Sequence, residues 1–123
     1  MRTVAIIQAR MGSSRLPGKV LADIGGAPML ARVIERAQAA ATISTVVVAT
    51  TTAASDDALV PVARAAGAQV YRGSTDDVLA RYLGAARAQQ AQVVVRLTAD
   101  CPLLDPAVID AIPNIGTPFR TRR

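Results

Sequence analysis

Four short apolar runs, each separated from the next by an amphipathic stretch, constrain the fold of this chain more than any other feature. The runs are Thr3-Val-Ala-Ile-Ile-Gln8, Thr45-Val-Val-Val-Ala-Thr50, Gln69-Val-Tyr71 and Val93-Val-Val-Arg-Leu97. A strand with one wet face alternates apolar and polar residues; a strand covered on both faces reads as continuous, which is the signature of a parallel sheet. Between the runs, Met29, Leu30, Val33, Ile34 and Ala37 recur at helical spacing, with Pro28 placed for the first turn of a helix reaching about Ala41. Ser55 with Asp56 and Asp57 offers a cap and an acidic first turn for a second helix ending at Ala66, before Gly67. Ser74 or Thr75, with Asp76 and Asp77, does the same for a third helix through about Gln90, and Asp105-Pro106 opens a short fourth to about Ile112. Strand and helix in strict alternation predict an α/β fold, a parallel sheet with helices on both faces joined by right-handed crossovers.

A chain of 123 residues, 51% of them hydrophobic, is long enough for one domain with a real core and too short for two. That domain is expected over residues 1–112, followed by an irregular basic tail over 113–123. With Phe119, Tyr71 and Tyr82 the only aromatics, the core must be filled by Val, Ile, Leu and Ala, and the composition argues against base-stacking platforms. The net charge of +5 is inflated by Arg120, Arg122 and Arg123. The other cations are dispersed, so nucleic acid is not an expected partner. The lone Cys101 cannot close an intramolecular disulfide, and no histidine is present. This suits a reducing cytoplasm. The first apolar run is far shorter than the roughly 20 residues of a membrane helix, so no membrane partner is expected.

The chemistry-bearing stretch is Gln8-Ala-Arg-Met-Gly-Ser-Ser-Arg-Leu-Pro-Gly-Lys19, directly after the first strand. Its glycines allow close approach of backbone N–H groups to an oxyanion, Ser13 and Ser14 add hydroxyl donors, and Arg10, Arg15 and Lys19 add positive charge. In a doubly wound sheet the ligand crevice lies beyond the carboxyl ends of the strands. Both this loop and Thr98-Ala-Asp100, after the fourth run, fall there. The competing reading is a long surface turn with solvated cations. A Walker loop is not supported: five residues separate Gly12 from Gly18, and Val20 follows Lys19. The dinucleotide fingerprint of three spaced glycines is also missing. Asp100 is a candidate magnesium ligand or, equally, a turn or capping aspartate. Cys101 reads as a small buried thiol. Arg72, Arg81 and Arg96 are surface cations unless they turn into the crevice.

Four segments occur in the order seen in one family: Ile7–Lys19, Val48-Ala-Thr-Thr-Thr52, Tyr71-Arg-Gly-Ser-Thr-Asp-Asp-Val78 and Arg96-Leu-Thr-Ala-Asp-Cys-Pro-Leu-Leu-Asp105. They resemble the spore-coat polysaccharide biosynthesis protein F group, relatives of the CMP-acylneuraminate and CMP-KDO synthetases. The resemblance covers Val4 to about Ile112 and implies a Rossmann-like nucleotide-diphospho-sugar transferase fold. It implies that Ala9, Arg10, Gly12, Ser13, Arg15 and Lys19 hold the triphosphate of CTP and that Asp100 binds magnesium. Gln8, Ser14 and Arg72 complete the expected nucleotide site, with Arg15, Lys19 and Asp100 as the catalytic set. The implied reaction is attack of a sugar hydroxyl on the α-phosphorus, yielding a CMP-sugar and pyrophosphate.

Members of that family are considerably longer, and their second half supplies the acceptor pocket and further metal ligands. A truncated or frame-shifted product, or a natural half-protein, is therefore expected. Such a chain would bind CTP–magnesium weakly, release no pyrophosphate alone, and offer an open sheet edge for a homo-oligomer. The alternatives are a non-catalytic nucleotide-binding module or remnant, and a basic nucleic-acid-binding protein.

Overall fold

In the computed structural model, residues 2–12 and 21–98 are described, with the backbone alone given for 23, 24 and 98. Strand β1 (Thr3–Gln8) leads to a small hairpin, β2 (Asp23–Ile24) and β3 (Ala27–Pro28), then helix α1 (Met29–Gln38) and strand β4 (Thr45–Thr51). A 3-10 turn (Ala54–Asp56) precedes α2 (Leu59–Ala65), and β5 (Gln69–Gly73), α3 (Val78–Ala88) and β6 (Val93–Thr98) complete the order. The expected fourth helix and the basic tail lie outside the described residues.

The main sheet is wholly parallel in the order β5-β4-β1-β6, as the unbroken apolar runs predict. From β1 the chain moves outward through β4 to β5 and then jumps back across the sheet to β6. Beside β1 the winding thus reverses. Right-handed crossovers then require α3 to cover the face opposite α1 and α2. Two cores follow. On one face Ala5, Ile7, Val46, Val48 and Val95 pack with Leu30, Val33, Ile34, Leu59 and Ala63. On the other, Val4, Ile6, Val47, Ala49 and Val94 meet Tyr82, Ala85 and Ala86 of α3, with Tyr71 packed against them. Gly84 makes room for Tyr71: a β-carbon there would stand 2.9 Å from ring carbon Cε2, inside contact distance.

Local details differ from the pattern-based expectation. The hairpin is new; its two-residue turn is Gly25-Gly26, both with positive φ (61° and 95°), the geometry that suits the twist of a tight hairpin. Pro28 ends β3 with extended backbone (ψ 148°) and so caps α1 instead of opening it, and α1 stops at Gln38. The second helix has no side-chain cap; Ser55 and Asp56 form the 3-10 turn and helix begins only at Leu59. Gly67 does stop it, at φ 91°. The cap of α3 is Asp77, which accepts the Ala80 N–H at 2.9 Å. Ser74 stands one step earlier, its hydroxyl accepting the Asp76 and Asp77 N–H groups. Side-chain oxygens near a helix start compete for the same few N–H donors, and sequence leaves the winner open among neighbours.

Candidate functional site

Parallel registry sets Gln8 opposite Thr98, so the exits of β1 and β6 stand side by side at the point where the winding reverses. Strand parity does the rest. Residues two apart share a face, so Gln8 and Arg96, which lies opposite Ile6, both look towards α3. A cleft of about 470 Å³ opens there, lined by Gln8, Ala9, Arg10, Val78, Arg81, Arg96 and Leu97. Among the described residues no carboxylate lines it.

Arg81, 2% exposed, is the most enclosed cation of the cleft. Its Nε donates to Gln8 Oε1 at 3.1 Å and its Nη1 to the Ser74 carbonyl at 2.8 Å. Burial holds its pKa below the ordinary guanidinium value; the charge of Arg10 pushes the same way, and Asp56 opposes them. Two guanidiniums that repel across a partly dry cleft are relieved by an anion between them. Gln8 adds to this. Arg81 can only donate, so it fixes the amide with Oε1 towards itself and leaves Nε2 as the other end. That Nε2 is buried without a hydrogen-bond partner. Arg96 lies over the Tyr82 ring, its guanidinium carbon 4.9 Å from the centroid, a stacking that holds a long side chain in place. Burial pushes the Tyr82 hydroxyl up to about 12, against the smaller opposing pull of Arg96. The cleft therefore offers donors and positive charge, and the ligand it suits is rich in anionic acceptors.

The other expected site residues are placed as follows. Arg10 is exposed at the cleft, and its Nη2 lies 3.5 Å from where a β-carbon on Gly12 would be, ordinary contact that an alanine could tolerate. The Ala9 N–H is committed to the Ala49 carbonyl at 3.1 Å. Arg72 is engaged elsewhere: it donates to the carbonyls of Thr51 (2.8 Å) and Ala53 (3.0 Å) and pairs with Asp57 at 2.8 Å. It braces the connection after β4 and does not line the cleft. Ser13, Ser14, Arg15, Lys19, Asp100 and Cys101 lie outside the described residues. From sequence Arg81 and Arg96 are undecided, although the parity of β6 carries the signal for Arg96. The sequence pattern makes Asp56 a helix-start acid; the carboxylate is instead buried and accepts the Met11 N–H at 2.6 Å.

Among the described residues no group of three or more His, Cys, Asp or Glu side chains could hold a metal ion. Guanidiniums and an amide do not fit magnesium, which takes oxygen ligands.

Comparison with known proteins agrees with this architecture. A family model described as cytidylyltransferase matches residues 4–114. The 3-deoxy-manno-octulosonate cytidylyltransferase of Anaeromyxobacter dehalogenans is 45% identical over 116 residues, 91% of this chain and 46% of that protein. The spore coat polysaccharide biosynthesis protein SpsF of Bacillus subtilis is 39% identical over 111 residues, 87% of this chain and 46% of SpsF. Among solved structures, a cytidylyltransferase from Leptospira borgpetersenii superposes with a TM-score of 0.89 at 40% identity, covering 94% of this chain and 49% of that one. A CMP:2-keto-3-deoxy-manno-octonic acid synthetase complexed with CTP gives 0.82 at 32% identity, covering 93% and 46%. The chain spans about half the length of the curated relatives it matches.

Proposed function

Because the chain belongs to the cytidylyltransferase family, we propose that its cleft binds CTP for the activation of a sugar as its CMP derivative. The observation that carries this reading is the cationic cleft at the winding reversal: Arg10, Arg81 and Arg96 line one space with no carboxylate among the described residues that line it, and the buried Gln8 Nε2 beside it has no hydrogen-bond partner. A triphosphate supplies the acceptors and the charge that such a space lacks.

In the proposed reaction a sugar hydroxyl attacks the α-phosphorus in line, the bond to the β-phosphate oxygen breaks, and pyrophosphate leaves. Phosphoryl chemistry of this kind asks for positioning and charge stabilisation more than covalent work. Arg81 is suited to it because its position is fixed before the ligand arrives: Gln8 and Ser74 hold it, so little side-chain entropy is lost on binding. Arg10, on the exposed loop, closes the other side. Arg15 and Lys19 extend the cation set in this reading, and the acceptor sugar belongs to it as second substrate. The relatives' names support that class of sugar.

A divalent cation accompanies CTP in the proposal, with magnesium as the ion and Asp100 as its ligand. Since the described cleft residues do not fit a metal, no step is routed through it. Among the described residues no helix is long and apolar enough to cross a membrane, and we place the chain in the cytoplasm with its nucleotide. A homo-oligomer formed at the sheet edge remains part of the reading.

Calorimetric titration of CTP, UTP, ATP and GTP, with and without magnesium, tests it. CTP is expected to bind, tighter with magnesium, and to be preferred over the purines. Equal or absent binding of all four nucleotides would refute a cytidine nucleotide site.

A further inference from the structure

Asp56 sits in the 3-10 turn between β4 and α2, at the edge of the scaffold and away from the cleft lining, and is 2% exposed. Burying a carboxylate is expensive unless its oxygens are occupied, and both are. Oδ1 accepts the Met11 N–H at 2.6 Å; Oδ2 accepts the Thr51 hydroxyl, whose oxygen in turn accepts the Ala53 N–H at 3.1 Å. The bond from Met11 joins segments 45 residues apart. It is the kind of charge-assisted bond that is roughly twice as strong as a neutral one.

Its place in the loop matters. The Ala9 N–H is tied to the Ala49 carbonyl, so with Met11 tied to Asp56 the amides on either side of Arg10 are both fixed to the β4 side. Arg10 lies between two residues whose N–H groups are anchored, Ala9 and Met11.

We propose that Asp56 is a positioning residue for the nucleotide: by holding the Met11 amide it keeps Arg10 at the cleft, without touching the ligand itself. The proposal rests on the reading that the cleft takes a nucleotide. Asp56 also acts electrostatically on Arg81, opposing the effects of burial and of Arg10. Its negative charge therefore reaches the cleft, where alone it would work against an anion. Hydrogen bonding and charge thus pull in opposite directions, and substitution separates them.

The test is CTP affinity, with inorganic pyrophosphate as a second ligand, together with hydrogen exchange of the Met11 amide by NMR, in the wild type and two variants. Asp56→Asn keeps an acceptor for Met11 and removes the charge. It is expected to bind CTP at least as tightly as wild type and to keep Met11 protected. Asp56→Ala is expected to expose the Met11 amide and weaken CTP about tenfold, the loss that accompanies one misplaced hydrogen-bonding group. Wild-type affinity in Asp56→Ala, unchanged Met11 exchange, or equal weakening by Asn and Ala would each overturn the proposal. If Asp56→Ala fails to fold, Thr51→Val takes its place. It frees Oδ2 and the Ala53 N–H but leaves the Met11 bond to Oδ1 in place, so a smaller loss of affinity supports the anchor and wild-type affinity overturns it. A wild-type chain that binds neither ligand would remove the functional reading, while the Met11 comparison still decides the anchor by itself.

Discussion

On the face covered by α1 and α2 the sheet contributes Ala5, Ile7, Val46, Val48 and Val95, enclosed along the length of the strands. On the face covered by α3 it contributes Val4, Ile6, Val47 and Val94, and then at the carboxyl ends Gln8 and Arg96. The strands are the same and their neighbours in register are the same. What differs is the last residue or two on each side, and the helix above them. Helix α1 presents Leu30, Val33 and Ile34 inward, whereas α3 presents Tyr82 and Arg81. Scaffold and cleft are therefore separable. One face holds the sheet together by burial; the other uses the same backbone to converge cations on a cleft.

The largest expected effect lies on the scaffold face. Ile34→Ala removes a fully buried side chain and should cost about 2–5 kcal/mol in urea unfolding, the range for large-to-small core changes. Any CTP affinity of the molecules that remain folded should be close to wild type. If affinity collapses while stability barely moves, the two faces are not separable.

The next effect compares two arginines. Arg81→Ala removes a preset cation and strips Gln8 of its partner, so CTP binding should weaken by roughly 1.5–3 kcal/mol, the value of a hydrogen bond to a charged group. Arg72→Ala breaks bonds to Thr51, Ala53 and Asp57 and should lower the melting temperature with affinity nearly unchanged. Calorimetry paired with thermal melts distinguishes them. The reverse pattern would place the nucleotide at Arg72, one of the residues expected in that site from the sequence.

The smallest effect concerns Tyr82. Its hydroxyl titrates near 12 in the folded chain, above its ordinary 10. The folded state therefore retains this proton after the unfolded chain has lost it. The stability that goes with the raised value is fully present below pH 10 and is lost as pH rises towards 12. Tyr82→Phe should flatten that part of the curve of stability against pH. An unchanged slope in the variant would assign alkaline unfolding to other groups.

Much of this molecule is written locally. Burial on both faces forces continuous apolar runs, so β1, β4 and β6 and their parallel pairing are legible from Val, Ile and Ala alone, and helical periodicity marks α1. Charge and glycine after β1 mark a place for anions because strand ends in such sheets face a crevice. Asp56 is different. Two adjacent aspartates after a serine carry the local signature of a helix start, and nothing nearby in sequence reveals that one of them turns inward to meet Met11. Arg72 and Arg81 are likewise indistinguishable as isolated cations. Arg72 finds the carbonyls at the end of β4, and Arg81 is swung over Gln8 by the helix that crosses the opposite face. The long parallel strands and the helices between them, and the gathering of charge and glycine after β1, follow from the sequence, because hydrophobic period and backbone permissiveness are local properties. Which carboxylate holds the Met11 amide and which guanidinium lines the cleft is decided only by the tertiary structure, because hydrogen bonds between distant segments form only where packing has brought them together.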